Sequence, residues 1–199
     1  MKHSYFQYLE KIVHPGAKVL DLGCGTGELL ETLFTKKGVK GYGIDINFEN
    51  ILACVKRGIP VYQGDIDEGL KGFSSQSYDY VILSQTIQQV HKPSFVLSEM
   101  LRVGKKGIII FPNFAHWRIR LHLLQGRAPR TSTLPYNWYN TPNIRVITIQ
   151  DFKRLCQKEN IEIVSEITDK DTFFPQFVVN SFSNLFSRNG FFVIQLKKG

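Results

Sequence analysis

The sequence predicts an α/β fold with a doubly wound, mostly parallel sheet of seven strands. Short apolar runs alternate along the chain with segments whose apolar residues recur at helical spacing. The first three of these runs each end in an acidic residue, which is typical of strands whose carboxyl ends line a ligand crevice. The 199 residues, of which 43% are hydrophobic, can bury one sizeable core, so we expect residues 1–199 to form a single domain.

The first predicted strand is the run 19–22, which is too short and too apolar for an exposed helix. It leads into a turn that contains Gly23, Gly25 and Gly27. Residues 28–34 then place apolar side chains at helical spacing and predict a helix. A strand, turn and helix in this order direct backbone N–H groups at a ligand beyond the strand end, and glycines let that ligand approach closely.

The glycine spacing separates two classes of cofactor. A dinucleotide-binding turn needs G-x-G-x-x-G, but the sixth position counted from Gly23 is Glu28. Instead, Asp21 stands two residues before the first glycine, and the glycines follow as G-x-G-x-G. This pattern is similar to motif I of the class I S-adenosylmethionine (SAM) dependent methyltransferases, where an acid near the turn suits the amine of the ligand. The alternative is an ordinary strand-to-helix turn that contains several glycines.

The other elements alternate as a parallel sheet with connecting helices requires. Glycine or proline punctuates several of them, as at Pro15, Gly58 and Gly104. We expect further strands at 41–45, 60–65, 78–83, 107–111, 161–167 and 191–196. We expect helices at 3–14, 28–37, 48–57, 93–103, 115–125 and from the N-cap residue Thr148 onward.

The second and third strands also end in acids, and these complete the predicted nucleoside site. A carboxylate at Asp45 can accept hydrogen bonds from both ribose hydroxyls. The resemblance to methyltransferases implies that Asp65 meets the adenine amino group and that Ile66 covers the ring; the alternative for Asp65 is a cap of the next turn. The predicted cofactor-binding residues are Asp21, Gly23, Cys24, Gly25, Gly27, Asp45, Ile46, Asp65, Ile66 and Ser84.

Two segments stand outside the regular alternation. Residues 112–147 form a predicted insertion after the fifth strand, and beyond residue 126 its three prolines exclude a regular helix. Its aromatic residues argue against disorder, so we interpret it as a lid or a partner surface. The segment 173–188 is a second aromatic-rich region, which precedes the last strand and is expected to be helical in part.

Over almost its whole length the chain resembles the methionine-biosynthesis protein MetW family. The most specific stretches are Phe-Pro-Asn-Phe from Phe111 and Tyr-Asn-Trp-Tyr-Asn-Thr-Pro-Asn from Tyr136. The family usually has Gly at Ala115, and commonly Asp at Thr26 and Asn140. The resemblance implies a cytoplasmic protein that uses SAM, with S-adenosylhomocysteine (SAH) as the product, and works beside homoserine O-acyltransferase. It leaves the methyl acceptor unknown.

The acceptor side of the site offers polar residues but no dedicated catalytic group. Methyl transfer from a sulfonium is an in-line displacement that needs chiefly proximity and alignment. The [DN]-P-P-[YF] motif of amino-methyltransferases is absent, because residues 84–87 read Ser-Gln-Thr-Ile. The alternative for His116 is a hydrogen-bonded histidine at a helix start. The spacing of potential ligands indicates no metal site. The acceptor-side candidates are Ser84, Gln85, Gln88, His116, Tyr136 and Tyr139.

Charge and cysteine content bear on partners and compartment. The net charge of +8 raises affinity for phosphate groups, but it is spread along the chain and favours a solvated face over a nucleic-acid site. No apolar run approaches the length needed to cross a bilayer, so we expect no membrane partner. The three cysteines are odd in number and far apart, which indicates a reducing cytoplasm rather than a disulfide framework.

Three functions remain open at the level of the sequence. The leading interpretation is a small-molecule methyltransferase that depends on SAM. The first alternative is a non-catalytic SAM-binding partner that regulates homoserine O-acyltransferase. The second alternative is an RNA methyltransferase, which rests on the net charge and on four arginines near the insertion, although no recognisable RNA-binding module accompanies them. Those arginines are Arg118, Arg120, Arg127 and Arg130.

Overall fold

The computed structural model describes residues 5–169 and 173–197 and contains a sheet with helices on both faces. The strands are β1 (Lys18–Leu22), β2 (Lys40–Asp45), β3 (Val61–Gln63), β4 (Tyr78–Ser84), β5 (Gly104–Pro112), β6 (Ile161–Ile167) and β7 (Asn189–Leu196). The helices are α1 (Phe6–Ile12), α2 (Glu28–Lys37), α3 (Phe48–Lys56), α4 (Pro93–Val103), α5 (Trp117–Leu124), α6 (Ile149–Lys158), α7 (Gln176–Ser181) and α8 (Ser183–Phe186).

The strand order across the sheet is β3-β2-β1-β4-β5-β7-β6. The chain therefore begins in the middle at β1, builds outward through β2 and β3, and returns to β4 on the other side of β1. Strands β1 to β5 pair in parallel, whereas β7 runs antiparallel to both β5 and β6. The predicted doubly wound, mostly parallel sheet of seven strands is confirmed. Its strand order reverses between β1 and β4, where such sheets form a ligand crevice.

The core occupies both faces of the sheet. Successive side chains of a strand point to opposite faces. Val19 accordingly packs in the cluster that contains Leu30 of α2, whereas Leu20 packs in the cluster that contains Met100 of α4. All four side chains are buried. This double burial explains why the central strands read as continuous apolar runs rather than as alternating ones.

Some element boundaries differ from the predicted ones. Strand β3, at one edge of the sheet, has only three residues. Strand β5 begins at Gly104, directly after α4, rather than at 107, and Lys106 pairs with Tyr80 of β4. Helix α5 begins at Trp117 rather than at 115. The predicted first helix began at residue 3, which lies outside the described residues together with residue 4.

The segment after α5 has no helix or strand from residue 125 to 148. Its second half is nevertheless hydrogen-bonded to the loop that follows β4. The backbone N–H groups of Ile144 and Arg145 donate to the carbonyl oxygen of Gln88, at 3.0 and 3.1 Å. The side-chain Nε of Arg145 donates to the carbonyl oxygen of Val90 at 2.8 Å. These bonds hold the segment beside the loop that follows β4, at the carboxyl edge of the sheet.

Cys24, Cys54 and Cys156 are buried free thiols. The Sγ atoms of Cys24 and Cys54 lie 3.9 Å apart beneath the glycine turn. Burial raises the pKa of both thiols, which disfavours the thiolate and supports a packing role for Cys24. None of the helices in the described ranges combines the length and apolar character needed to span a bilayer.

Candidate functional site

A cleft of about 1290 Å³ opens over the carboxyl ends of β1, β2 and β4. It lies where the strand order reverses, so side chains from non-consecutive parts of the chain meet there. The predicted cofactor residues that line it are Asp21, Gly23, Cys24, Gly25, Asp45, Ile46, Asp65, Ile66 and Ser84. The remaining one, Gly27, does not line it.

The glycine turn needs its glycines for two different reasons. Gly23, Gly25 and Gly27 all have positive φ angles, of 71°, 55° and 80°, which residues with a side chain rarely adopt. At Gly23 a Cβ would also lie 2.6 Å from the side chain of Thr86. At Gly27, the N-cap of α2, a Cβ would lie 3.0 Å from the Sγ of Cys54. Gly27 therefore serves the packing of α2 on α3 rather than the cleft surface.

Asp45 is buried and joins the glycine turn to the start of α3. Its Oδ2 accepts from the Gly25 N–H at 2.8 Å. Its Oδ1 accepts from the Asn47 N–H at 2.9 Å and from Asn50 Nδ2 at 3.0 Å. A carboxylate has about four acceptor positions. Acceptance of both ribose hydroxyls therefore requires one of these three donors to turn away on binding.

Asp21 is the most unusual group in the cleft. It is 2% exposed, and its Oδ1 has no hydrogen-bond partner among the residues that the structure describes. Burial, and secondarily the negative charge of Asp45, raise the pKa of Asp21 to about 7. A buried polar atom without a partner is costly. A cationic or hydrogen-bond-donating ligand group at this place would satisfy it.

The predicted adenine residues lie at the β2 and β3 end of the cleft. Asp65 caps the 3₁₀ turn Ile66–Glu68, because its Oδ1 accepts from the Asp67 N–H at 2.8 Å. The capping alternative is thus confirmed, and the adenine contact stays a prediction that the other oxygen can serve. Ile66 is buried against the core, whereas Ile46 is 65% exposed.

The acceptor-side candidates divide into two groups. Gln85 and Tyr136 line the cleft, together with Ser84 and Gln88. Gln85 has a φ of 56°, a strained conformation for a residue with a side chain, and such strain is common at functional sites. Two other candidates lie outside the cleft: His116 and Tyr139.

His116 and Tyr139 have other surroundings. His116 is buried, and its Nδ1 accepts from the Arg118 N–H at 3.4 Å, which makes it the N-cap of α5. This contact agrees with the alternative given for His116, a hydrogen-bonded histidine at a helix start. Tyr139 is 70% exposed and its hydroxyl accepts from Asn137 Nδ2 at 3.2 Å.

Several cleft residues were missed by the sequence reasoning. Tyr5 and Tyr8 line the cleft from the N-terminal helix, and Asp169, Arg188 and Asn189 line it from the start of β7 and the loop after β6. The positions of the last three follow from the directions of β6 and β7: Asp169 follows the carboxyl end of β6, which runs as β1 to β5 do, whereas Arg188 and Asn189 stand at the amino end of the antiparallel β7. An antiparallel strand brings its amino end to the edge where the parallel strands have their carboxyl ends. The apolar run 191–196 predicts a strand but not its direction.

The cleft has a charge opposite to that of the whole chain. Its only described basic lining residues are His91 and Arg188, in a protein of net charge +8. Such a surface attracts cations and repels polyanions. No group of three or more His, Cys, Asp or Glu side chains within residues 5–169 and 173–197 could hold a metal ion. The acidic lining residues are Asp21, Glu28, Asp45, Asp65, Asp67 and Asp169.

The strand order and the cleft at its reversal define a protein with the class I SAM-dependent methyltransferase fold. A solved SAM-dependent methyltransferase from Archaeoglobus fulgidus has the same fold, with a TM-score of 0.67 over 97% of this chain and 91% of that chain. At 20% sequence identity this likeness concerns the fold alone. The chain belongs to the family described as "Methionine biosynthesis protein MetW", which matches residues 3–194.

Two relatives extend this assignment. The "Bifunctional methionine biosynthesis protein MetXA/MetW" of Rhodopirellula baltica is 40% identical over 167 residues, which are 79% of this chain and 27% of that protein. The ubiquinone biosynthesis O-methyltransferase of Hahella chejuensis is 31% identical over 107 residues, 51% of this chain and 44% of that protein. The chain thus spans less than half the length of both relatives.

Proposed function

We propose that this chain binds SAM and transfers its methyl group to a small molecule in methionine biosynthesis. The observation that carries the proposal is the buried Oδ1 of Asp21, a cleft-lining residue, because this atom lacks a hydrogen-bond partner among the described residues. The amine of SAM is a cation that would donate a hydrogen bond to this oxygen. An acidic cleft also suits a ligand with a positive sulfonium.

The other cleft residues would hold the rest of the cofactor. Asp45 would accept the ribose hydroxyls, while Ile46, Asp65 and Ile66 would surround the adenine. Gly23, Cys24, Gly25 and Ser84 would lie against the methionine end, where the absence of bulky side chains permits close approach. When bound, SAM supplies an activated methyl group for in-line displacement. The protein then has to align the acceptor, and Gln85 and Tyr136, which line the cleft, would do so.

Calorimetric titration tests the proposal directly. We expect SAM and SAH each to bind with one site per chain, because both carry the amine and the ribose that Asp21 and Asp45 would hold. Labelled methyl from SAM should then appear on a small molecule of a cell extract. A well-folded sample that binds neither ligand would refute the cofactor assignment, and binding without transfer would refute the catalytic part.

A second candidate is a SAM-binding subunit that regulates homoserine O-acyltransferase. The fused MetXA/MetW relative favours it, because fusion joins two activities in one chain. Exposed aromatic side chains also support a protein contact: Trp138 and Tyr139 are 77% and 70% exposed, and Phe177 is 71% exposed. Three buried free thiols are in keeping with a reducing cytoplasm, where both partners would meet.

Association with homoserine O-acyltransferase separates the second candidate from the first. We expect the two proteins to co-purify and Trp138→Ala to weaken the complex about tenfold or more, because exposed tryptophans are frequent interface anchors. Val55→Ala is the matched control, since Val55 is an exposed apolar residue of α3 outside both aromatic segments. Addition of SAM should change the acyltransferase rate. Absence of a complex at micromolar concentrations would refute the regulatory function.

Two of the four arginines near the insertion are held by contacts within the chain and give no support to an RNA substrate. The guanidinium of Arg118 lies 5.2 Å from the ring centroid of Trp117 and 4.9 Å from that of Phe173. Arg120 donates to the carbonyl oxygen of Ala115 at 2.7 Å. These contacts give the two arginines structural roles. The acidic lining of the cleft would also repel a phosphate backbone.

A further inference from the structure

A second buried polar atom of the cleft lacks a partner, and it lies beyond the end of β4. Gln88 belongs to the 3₁₀ turn Ile87–Gln89 and lines the cleft, although it is only 3% exposed. Its Nε2 donates to the carbonyl oxygen of Gln85 at 2.8 Å. Because a carbonyl oxygen only accepts, this bond fixes which end of the amide is the oxygen. Oε1 of Gln88 has no hydrogen-bond partner in the described part of the chain, which is costly for a buried atom.

The backbone of Gln88 is held as firmly as its side chain. Its carbonyl oxygen accepts from the N–H groups of Ile144 and Arg145, at 3.0 and 3.1 Å. An acceptor that is fixed in advance binds a ligand without a further cost of ordering. Oε1 is covered in the ligand-free chain, so a ligand reaches it when a lining side chain moves. Tyr136 is 48% exposed and can move without loss of core packing.

The insertion brings no charged side chain to this part of the cleft. Every residue of the segment 112–147 is described, and its charged residues are five arginines, none of which lines the cleft. Two of them bind backbone oxygens instead: Arg130 Nε donates to Pro135 at 3.2 Å, and Arg145 Nε donates to Val90 at 2.8 Å. The lining residues of the insertion are Ser132, Thr133, Pro135, Tyr136 and Asn143.

The loop after β4 adds little charge to these neutral residues. Residues 85–91 contain one ionisable side chain, that of His91. The carboxylate of Asp67, which also lines the cleft, already accepts from the N–H groups of His91 and Lys92, at 2.8 and 2.7 Å. A charged acceptor would therefore lose its hydration beside Gln88 without a partner of opposite charge. An apolar acceptor would leave Oε1 of Gln88 unpaired.

We propose that the space between Gln88 and the insertion is the acceptor subsite, and that it takes a small uncharged molecule which donates an N–H or O–H hydrogen bond to Oε1 of Gln88. The inference rests on the proposed function, because it assigns the Asp21 end of the cleft to the cofactor. The size of the cleft agrees, since 1290 Å³ exceeds the range of about 300–1,000 Å³ typical of single-ligand pockets.

The test is equilibrium dialysis of the protein, with and without saturating SAH, against three fractions of the small molecules of a cell extract. The fractions are the hexane phase, the molecules retained by ion exchangers and the uncharged aqueous remainder. We expect mass spectrometry to find bound molecules from the uncharged aqueous fraction. Gln88→Met, which has a similar length but no amide, should bind them about tenfold more weakly and leave SAH affinity unchanged.

Gln89→Met is the matched control. Gln89 is exposed, and its Nε2 donates to the same carbonyl oxygen of Gln85 at 3.0 Å, so this variant loses a similar bond but no buried oxygen. It should bind the uncharged molecules as the wild type does. Equal binding by Gln88→Met would overturn the proposal, and so would binding from only the charged or the hexane fraction, or from none.

Two further outcomes are also decisive. If Gln88→Met does not fold, as judged by circular dichroism, the fraction from which the wild type binds molecules decides the outcome alone. Failure of SAH to bind the wild type would refute the cofactor site instead, and the dialysis without SAH would still test the acceptor subsite.

Discussion

Replacement of Asp45 by alanine is expected to weaken SAM and SAH binding by more than about a hundredfold. A buried carboxylate that accepts from two ribose hydroxyls makes two charge-assisted hydrogen bonds, and each contributes about 1.5–3 kcal/mol. The variant also removes the bond to the Gly25 N–H, so the glycine turn loses its link to α3. Titration calorimetry with both ligands measures the effect, and circular dichroism checks that the variant is folded.

Asn50→Ala is the control for Asp45→Ala. It removes the donor at 3.0 Å from Asp45 Oδ1 but leaves the carboxylate in place. Because ribose binding requires one donor to turn away, we expect this variant to bind SAM as well as the wild type or slightly better. If Asp45→Ala binds SAM within threefold of the wild type, the ribose assignment is wrong.

Replacement of Asp21 by asparagine is expected to affect stability and binding in opposite directions. In the ligand-free protein the rise of the Asp21 pKa from 3.8 to about 7 corresponds to a cost of about 4 kcal/mol once the group is ionised. Asparagine avoids that cost because it is neutral. The amine of SAM would lose its carboxylate partner, so we expect binding to the variant to weaken at least tenfold.

The pH dependence of this effect follows from the direction of the pKa change. The pKa of Asp21 is higher in the folded protein than in the unfolded chain. The favourable contribution of Asp21 to the free energy of unfolding is therefore complete below about pH 4 and is lost as pH rises to about 7. Asp21→Asn should therefore have a higher free energy of unfolding than the wild type at pH 8, and a similar one at pH 4. SAM affinity of the wild type should fall below pH 7, where a proton competes with the ligand amine, and this fall should be absent from the variant.

Asp79→Asn is a control for which the expected change in stability at pH 8 has the opposite sign. Hydrogen bonds from Lys105 Nζ and from the Lys18 N–H lower the pKa of Asp79, which lies outside the cleft. Its contribution to stability is present above the unfolded pKa and is lost as pH falls through the folded pKa. This variant should be less stable than the wild type at pH 8. Denaturant unfolding at pH 4 and 8 compares all three proteins, and a less stable Asp21→Asn at pH 8 would contradict the interpretation.

A carboxylate that costs stability without its ligand is typical of a binding site. Asp21 has no hydrogen-bond partner at Oδ1 within residues 5–169 and 173–197, although most buried polar atoms of folded proteins have one. The same atom that destabilises the ligand-free protein would stabilise the complex. SAM should therefore raise the melting temperature of the wild type more than that of Asp21→Asn.

The sequence by itself determined the fold class and one half of the cleft. Apolar runs such as 108–111 identify the central strands, because burial on both faces leaves no polar position within them. The glycine turn and the acids at strand ends are local features of the chain. Since all parallel strands end at one edge, Asp21, Asp45 and Asp65 had to lie near one another once the sheet was recognised.

Only the tertiary structure decided the other half of the cleft and the state of its groups. Asn189 reaches the cleft because β7 is antiparallel, and Asp169 does so because β6 runs in the same direction as β1 to β5. Strand direction depends on pairing between distant segments. His116 and Tyr139 come from the same insertion as Tyr136, yet packing places only Tyr136 in the cleft. The raised pKa of Asp21 likewise arises chiefly from its burial, which no local pattern of residues encodes.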